Sequence, residues 1–415
     1  MNIASKKKVV LLGMMTRVPV AGAIWGALHY LLGFQRLGYD VYYVEADART
    51  PYRLMLRDND ECPSAAAFID RVMRRFDLGD KWAVHTLHDD GQCFGMTESQ
   101  LQQLYRSADL LINYHGGTVP RPEHSATGRL LYLETDPVER EIEIYHNDPE
   151  AIAHLEPHSS FFTWGLNYGH PDCRVPQTTR FPFKTSCPVV VQDLWQSGGA
   201  EKGGGYLLPE RPEGCCAQKV PDPFFRATSV FTTIGNWRQS GQVKYQGEVY
   251  TWSKHHEYLK FLDLPRRTPQ KFELALSSYE EKDRQLLESH GWNVRPSMEF
   301  STDLDQYRAY ICQSRGEFTV AKDQNVRLRS GWFSERSATY LAAGRPVITQ
   351  ETGFSNVLPT GRGLFGFSTM DDILAAVDSI NSDYEGHCRA ASELAREYFN
   401  YDVVLPRMLK EVGLS

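Results

Sequence analysis

Short apolar runs alternate along this chain with longer stretches in which apolar positions recur at helical spacing. In the first half, Val9–Met14, Asp40–Glu45, Leu110–Tyr114, Leu130–Leu133 and Phe161–Leu166 read as strands. Ala23–Leu37, Ala65–Phe76 and Glu98–Ser107 read as helices, the first ending at Gly38. Pro188–Trp195 reads as a strand leading out of this half. Alternation then resumes. Ser229–Ile234, Phe272–Leu276, Trp292–Val294, Glu317–Val320 and Leu364–Phe367 are the predicted strands. His255–Leu262, Glu281–Ser289, Leu304–Ala309, Met370–Ile380, Glu385–Phe399 and Tyr401–Val412 are the predicted helices. Strands that alternate with helices in this way form parallel sheets covered on both faces.

A chain of 415 residues is long for one core and suits two domains. The pattern places an N-terminal Rossmann-like unit at 1–187 and a C-terminal one at 188–399, with 400–415 as a final helix that crosses back. The stretch 196–224 is rich in Gly, Pro and charge and reads as a long exposed loop. The expected fold class is α/β, two Rossmann-like parallel-sheet domains facing a cleft. Ligands of such sheets sit beyond the carboxyl ends of the strands.

Composition narrows the function. The net charge of −7 argues against a nucleic-acid partner. Aromatic residues make up 12% of the chain, enough to line a cleft as well as a core. The eight cysteines include no C-x-x-C pair, so neither a zinc site nor a disulfide framework is expected. No run approaches the ~20 apolar residues a spanning helix needs, and a cytoplasmic location is expected.

The segment Ser330–Phe354 carries the most chemistry. Ser334 is placed to cap a short helix, Gly344 to end it, and Pro346–Thr349 to form a buried strand broken at Thr352 and Gly353. A helix start and a Gly loop both offer unpaired backbone N–H groups to an anion. The run Gly331-Trp332-Phe333-Ser334, followed by Thr339-Tyr340-Leu341-Ala342-Ala343-Gly344-Arg345-Pro346-Val347-Ile348, resembles the donor-binding segment of GT-B glycosyltransferases of the retaining, sucrose-synthase-like group. In that group the segment reads E-G-F-G-x-x-x-x-E-A-x-A-x-G-x-P-V-I. Gly331 and Thr339 stand where the group has its two glutamates, which leaves retention or inversion open. The Ser334-x-Arg336 start is similar to that of divergent bacterial members.

The resemblance implies a diphosphate held by Ser334, Arg336, Thr339, Thr352 and Gly353. It also implies a facing glycine loop at Gly22, and Gly235, Arg238 and Lys244 after the first strand of the second domain. Two further strand ends offer catalytic groups by their own chemistry. His115 follows a predicted strand and precedes two glycines, and Glu134 follows another, so each is a candidate general base. The expected function is transfer of a sugar from a nucleotide donor, UDP- or dTDP-linked, to an acceptor, with no metal and no cofactor. A nucleotide-sugar epimerase, a phosphorylase or an inactive binding subunit on the same fold are the alternatives.

Overall fold

The structure, a computed structural model, describes residues 6–46, 62–87, 91–196 and 228–414. Most of the predicted loop 196–224, with Cys215 and Cys216, therefore lies outside the described residues.

The first sheet is built from β1 (Lys8–Leu12), β2 (Asp40–Glu45), β3 (Trp82–His85), β4 (Cys93–Phe94), β5 (Leu110–Tyr114), β6 (Leu130–Glu134), β7 (Ser160–Thr163) and β8 (Lys184–Thr185). Their order is β4-β3-β2-β1-β5-β6-β7-β8, and every pairing is parallel except β3 with β4. The second half opens with β9 (Val230–Asn236) and an antiparallel hairpin of β10 (Gln242–Tyr245) and β11 (Glu248–Thr251). It continues with β12 (Lys271–Ser277), β13 (Asn293–Pro296), β14 (Gly316–Thr319), β15 (Val347–Gln350) and β16 (Leu364–Phe367). The second sheet runs β13-β12-β9-β14-β15-β16, parallel throughout.

The central strands are buried along their whole length because helices cover both faces. That is why they read as continuous apolar runs rather than alternating ones. In each sheet the order reverses beside its first strand: β1 lies between β2 and β5, and β9 between β12 and β14. These are the two switch points where a parallel sheet opens a crevice.

Two features depart from the sequence reading, and the expected return of the final helix is seen. Pro188–Trp195 is not a strand; Val190 makes a single bridge to Asn400, and Gln192–Trp195 is a 3-10 turn. The hairpin β10–β11 was not foreseen. Its Tyr245 and Tyr250 pack with Val138, Ile142 and Val175 of the first half, so it crosses from one half to the other. The final helix, Tyr401–Glu411, lies against the first helix, Ala21–Arg36, with Arg36 over the Tyr401 ring.

Candidate active site

A cavity of about 380 Å³ opens between the two halves. Its walls come from the segments that follow strands: Val20 and Gly22 after β1, His115 after β5, Thr135 and Asp136 after β6, and Gly235 and Asn236 at the end of β9. Ser334, Glu335, Arg336 and Thr339 close it from the helix Glu335–Ala342. Trp25, Trp164 and Trp332 add aromatic wall.

The two halves are tied together beside this cavity. Trp332 Nε1 donates to the Thr135 carbonyl at 3.0 Å, and Asn167 N donates to the Ser330 carbonyl at 3.2 Å. Lys322 pairs with Asp136, and Arg329 Nε reaches Asp172 at 2.6 Å. Thr352 and Gly353 belong to this junction. The Thr352 hydroxyl donates to the Trp332 carbonyl at 2.8 Å, and a Cβ on Gly353 would meet the Asn167 side chain. Neither residue lines the cavity.

The helix start offers anion-binding groups. Ser334 occupies the N-cap position, yet its hydroxyl caps no amide, so the expected cap is not made. The first-turn amides have no intrahelical partners and stand at the cavity wall. Gly235 faces them: a Cβ built there meets nothing within 4 Å, so its backbone borders open space. The Thr339 hydroxyl donates to the Arg336 carbonyl at 2.6 Å.

The cations are arranged differently from the expectation. Arg336 lines the cavity, but each nitrogen of its guanidinium already has a protein partner: Nε to Glu317 at 2.6 Å, Nη1 to the Ile234 carbonyl at 2.6 Å, and Nη2 to Thr319 at 3.0 Å. Arg238 is not at the wall. It grips Asp283 with two nitrogens, because the chain turns away after Asn236. Lys244 is carried off on the hairpin β10–β11.

Sequence reasoning missed Lys254, at the return from that hairpin. It is 8% exposed, and its ammonium lies 5.3 Å from the ring centre of the cavity residue Trp332. Among the described residues it makes no ion pair. Burial, aided by the nearby Arg336 charge, pushes its pKa well down. The signal available in the sequence was its place at a helix start, two residues after Trp252.

The two candidate bases separate. His115 lines the cavity with a left-handed backbone (φ 61°), and its Nδ1 is bonded to the Thr135 hydroxyl. Desolvation pushes its pKa down to about 4, which keeps the ring neutral and weakly basic. Glu134 is buried behind the wall, where it accepts from Thr163 at 2.7 Å. Burial and the neighbouring Glu141 push its pKa well up. Its β6 position turns it into the protein, so it does not reach the cavity. Two carboxylates do reach it: Asp136, paired with Lys322, and Glu335, missed although it stands between Ser334 and Arg336.

Among the described residues no cluster of three His, Cys, Asp or Glu side chains could hold a metal. The chain does contain Asp-x-Asp triplets. Asp303-Leu304-Asp305 serves a helix start, Asp303 accepting from two amides and Asp305 pairing with Arg75. Asp58-Asn59-Asp60 lies outside the described residues. No described helix is long and apolar enough to cross a membrane.

No family model matches the sequence, and no curated protein does. Solved structures do match over nearly the whole chain. HepE of Anabaena, in complex with UDP and glucose, aligns over 99% of this chain and 100% of its own, with 11% identity and a TM-score of 0.52. An α-glucosyltransferase in complex with UDP and a mismatched 13-mer DNA aligns over 99% and 100%, with 10% identity and a TM-score of 0.54. The chain has the GT-B fold. Within that fold the cavity lies where the carboxyl ends of both sheets meet, and its lining brings together Gly22, His115, Gly235, Ser334, Arg336 and Thr339. Glu134, Arg238, Lys244, Thr352 and Gly353 are not among the lining residues.

Proposed function

We propose that the protein transfers a sugar from a nucleoside-diphosphate donor to a hydroxyl-bearing acceptor, without a metal. The observation that carries this reading is one arrangement: the uncapped first turn of Glu335–Ala342 at the wall of the inter-sheet cavity, with the nearly buried Lys254, which has no ion pair among the described residues, over the ring of the wall residue Trp332. Amides at a helix start and a desolvated ammonium stabilise charge that develops on a leaving diphosphate. An ammonium kept without a carboxylate costs folding energy, which an anionic ligand offsets when it binds.

In this reading the diphosphate lies against Ser334, Arg336, Thr339 and Gly235, with Lys254 at its edge. Arg336 acts by holding the helix start in place. Gly22 and His115 face the donor from the first domain, and the neutral His115 ring orients an oxygen. UDP- and dTDP-sugars are the first donors to test. HepE was solved with UDP-glucose, and that likeness supports the choice of uridine. Calorimetric titration with UDP, dTDP and GDP is the decisive experiment. Micromolar binding of one of them is expected, and no binding of any would overturn the reading.

A further inference from the structure

Glu335 is the first residue of its helix and one of the cavity-lining side chains. Its side chain is 16% exposed. Its carboxyl reaches across to the first domain, where Oε1 lies 3.3 Å from His29 Nδ1. A Cβ on Gly26 would sit 2.6 Å from Oε2, so only glycine at that position leaves room for the carboxyl. On the far side of the imidazole, Trp195 Nε1 donates to His29 Nε2 at 2.8 Å.

This chain of bonds fixes a proton. An indole nitrogen can only donate, so His29 Nε2 keeps its lone pair. The ring hydrogen therefore sits on Nδ1, pointing at Glu335. While Trp195 donates, the ring cannot take a second proton without losing that bond. Glu335 thus receives a neutral N–H and no cationic partner. Three phenols also face it: Tyr30 from the first helix, Tyr114 from β5 and Tyr307 from the helix Leu304–Gln313. Arg336, the next residue, is turned to Glu317 instead.

We infer that Glu335 is the general base of the transfer and that His29 and Trp195 are its positioning residues. This rests on the donor-sugar reading above. In the step, the acceptor oxygen donates a lone pair to the anomeric carbon. The bond from that carbon to the diphosphate oxygen breaks, and its electron pair leaves on the nucleoside diphosphate. The acceptor proton passes to the Glu335 carboxylate, which returns it to solvent. Burial raises the Glu335 pKa, and a carboxylate so raised is a stronger base than an exposed one. His115, held neutral with a pKa near 4, is the weaker base of the two.

Water can replace the unidentified acceptor, so the probes are UDP-, dTDP- and GDP-glucose, with released diphosphate as the readout. Calorimetry with the free diphosphates runs beside it. Glu335→Gln is expected to keep diphosphate affinity and to lower release by about 10²–10⁴-fold, the usual worth of a general base. Trp195→Phe frees His29 Nε2 to take a proton. The resulting imidazolium favours the ionised carboxylate, so the acid limb of the release profile should move to lower pH. His29→Asn, which cannot take a proton, should show no such move. Glu335→Asp provides a second carboxylate variant with partial release.

Unchanged release in Glu335→Gln would overturn the assignment, as would loss of binding in step with release. Wild-type protein that binds a diphosphate yet releases none from its glucose donor would also overturn it. Wild-type protein that binds no diphosphate would instead remove the donor-sugar reading, and the inference with it.

Discussion

Gly331 lies against the backbone of Asn167, across the junction between the two halves. Its φ is 80°, and a Cβ there would come within 2.7 Å of the Asn167 Cβ and closer still to its amide nitrogen. The junction explains a departure visible in the sequence. GT-B enzymes of the resembling group carry a glutamate at this position, and here a side chain has no room. The segment Ser330–Trp332 is fastened to the first domain by its backbone, through the Gly165–Trp332 bridge and the Asn167–Ser330 bond.

Gly331→Ala should therefore destabilise the protein by about 1–3 kcal/mol, the cost of a strained left-handed position, with the steric clash added. Gly331→Glu, which restores the group's residue, should do no better. Urea unfolding of both variants tests this, and a midpoint equal to wild type in Gly331→Ala would show that the junction yields freely.

Arg336 and Arg238 should behave oppositely from what their sequence positions suggest. Arg336 neutralises Glu317, which is fully buried. Removing one partner of a buried pair costs about 3–5 kcal/mol. Arg336→Ala should thus lower stability by that order. Arg238 is 39% exposed and pairs with Asp283, so Arg238→Ala should change stability by about 1 kcal/mol or less. It should also leave diphosphate affinity unchanged, since Arg238 lies off the cavity wall. A tenfold loss of UDP affinity in Arg238→Ala would return it to the donor site.

How much of this was legible follows from what each signal depends on. The central strands were readable because burial on both faces writes continuous apolar runs such as Leu110–Tyr114 and Val347–Ile348. The helix start at Ser334 was readable because its Gly and Ser neighbours are local. The fate of Arg238 and Lys244 was not, because Arg238 is held by Asp283 of a later helix and Lys244 is carried on the β10–β11 hairpin. Glu134 was misplaced for a similar reason. Strand ends point side chains to alternate faces, and one residue decides between cavity and core. Glu335 and Lys254 became candidates only through partners far away in sequence, His29 and Trp332.

Glu134 offers a test that separates burial from catalysis. Its pKa is raised by burial and by Glu141, so its folded value lies above its unfolded one. Its contribution is then full below the ordinary carboxylate range and is lost as pH rises through the raised value. Glu134→Gln removes that loss, since an amide can donate to Glu141 and accept from Thr163. The variant should gain stability relative to wild type from mildly acidic to mildly alkaline pH. Diphosphate release from a glucose donor should persist. Urea midpoints across that range check the first part, and a release assay abolished in a folded variant would make Glu134 the base after all.

Lys254 should trade stability for binding. Its pKa is depressed, so the unfolded chain binds more protons than the folded one between the lowered value and the usual lysine range. Wild-type stability should rise with pH across that window, and Lys254→Met should abolish the rise while stabilising the fold at the acid end. Under the proposed function, the same substitution removes the ammonium at the edge of the diphosphate. Diphosphate affinity should fall by about 1.5–3 kcal/mol, the worth of a hydrogen bond to a charged group. An arriving diphosphate favours the charged form, so binding at alkaline pH should draw a proton from the buffer. Titrations in buffers of different ionisation enthalpy would then give different heats for wild type and equal heats for Lys254→Met. Equal heats for both, with equal affinities, would place the diphosphate away from Lys254.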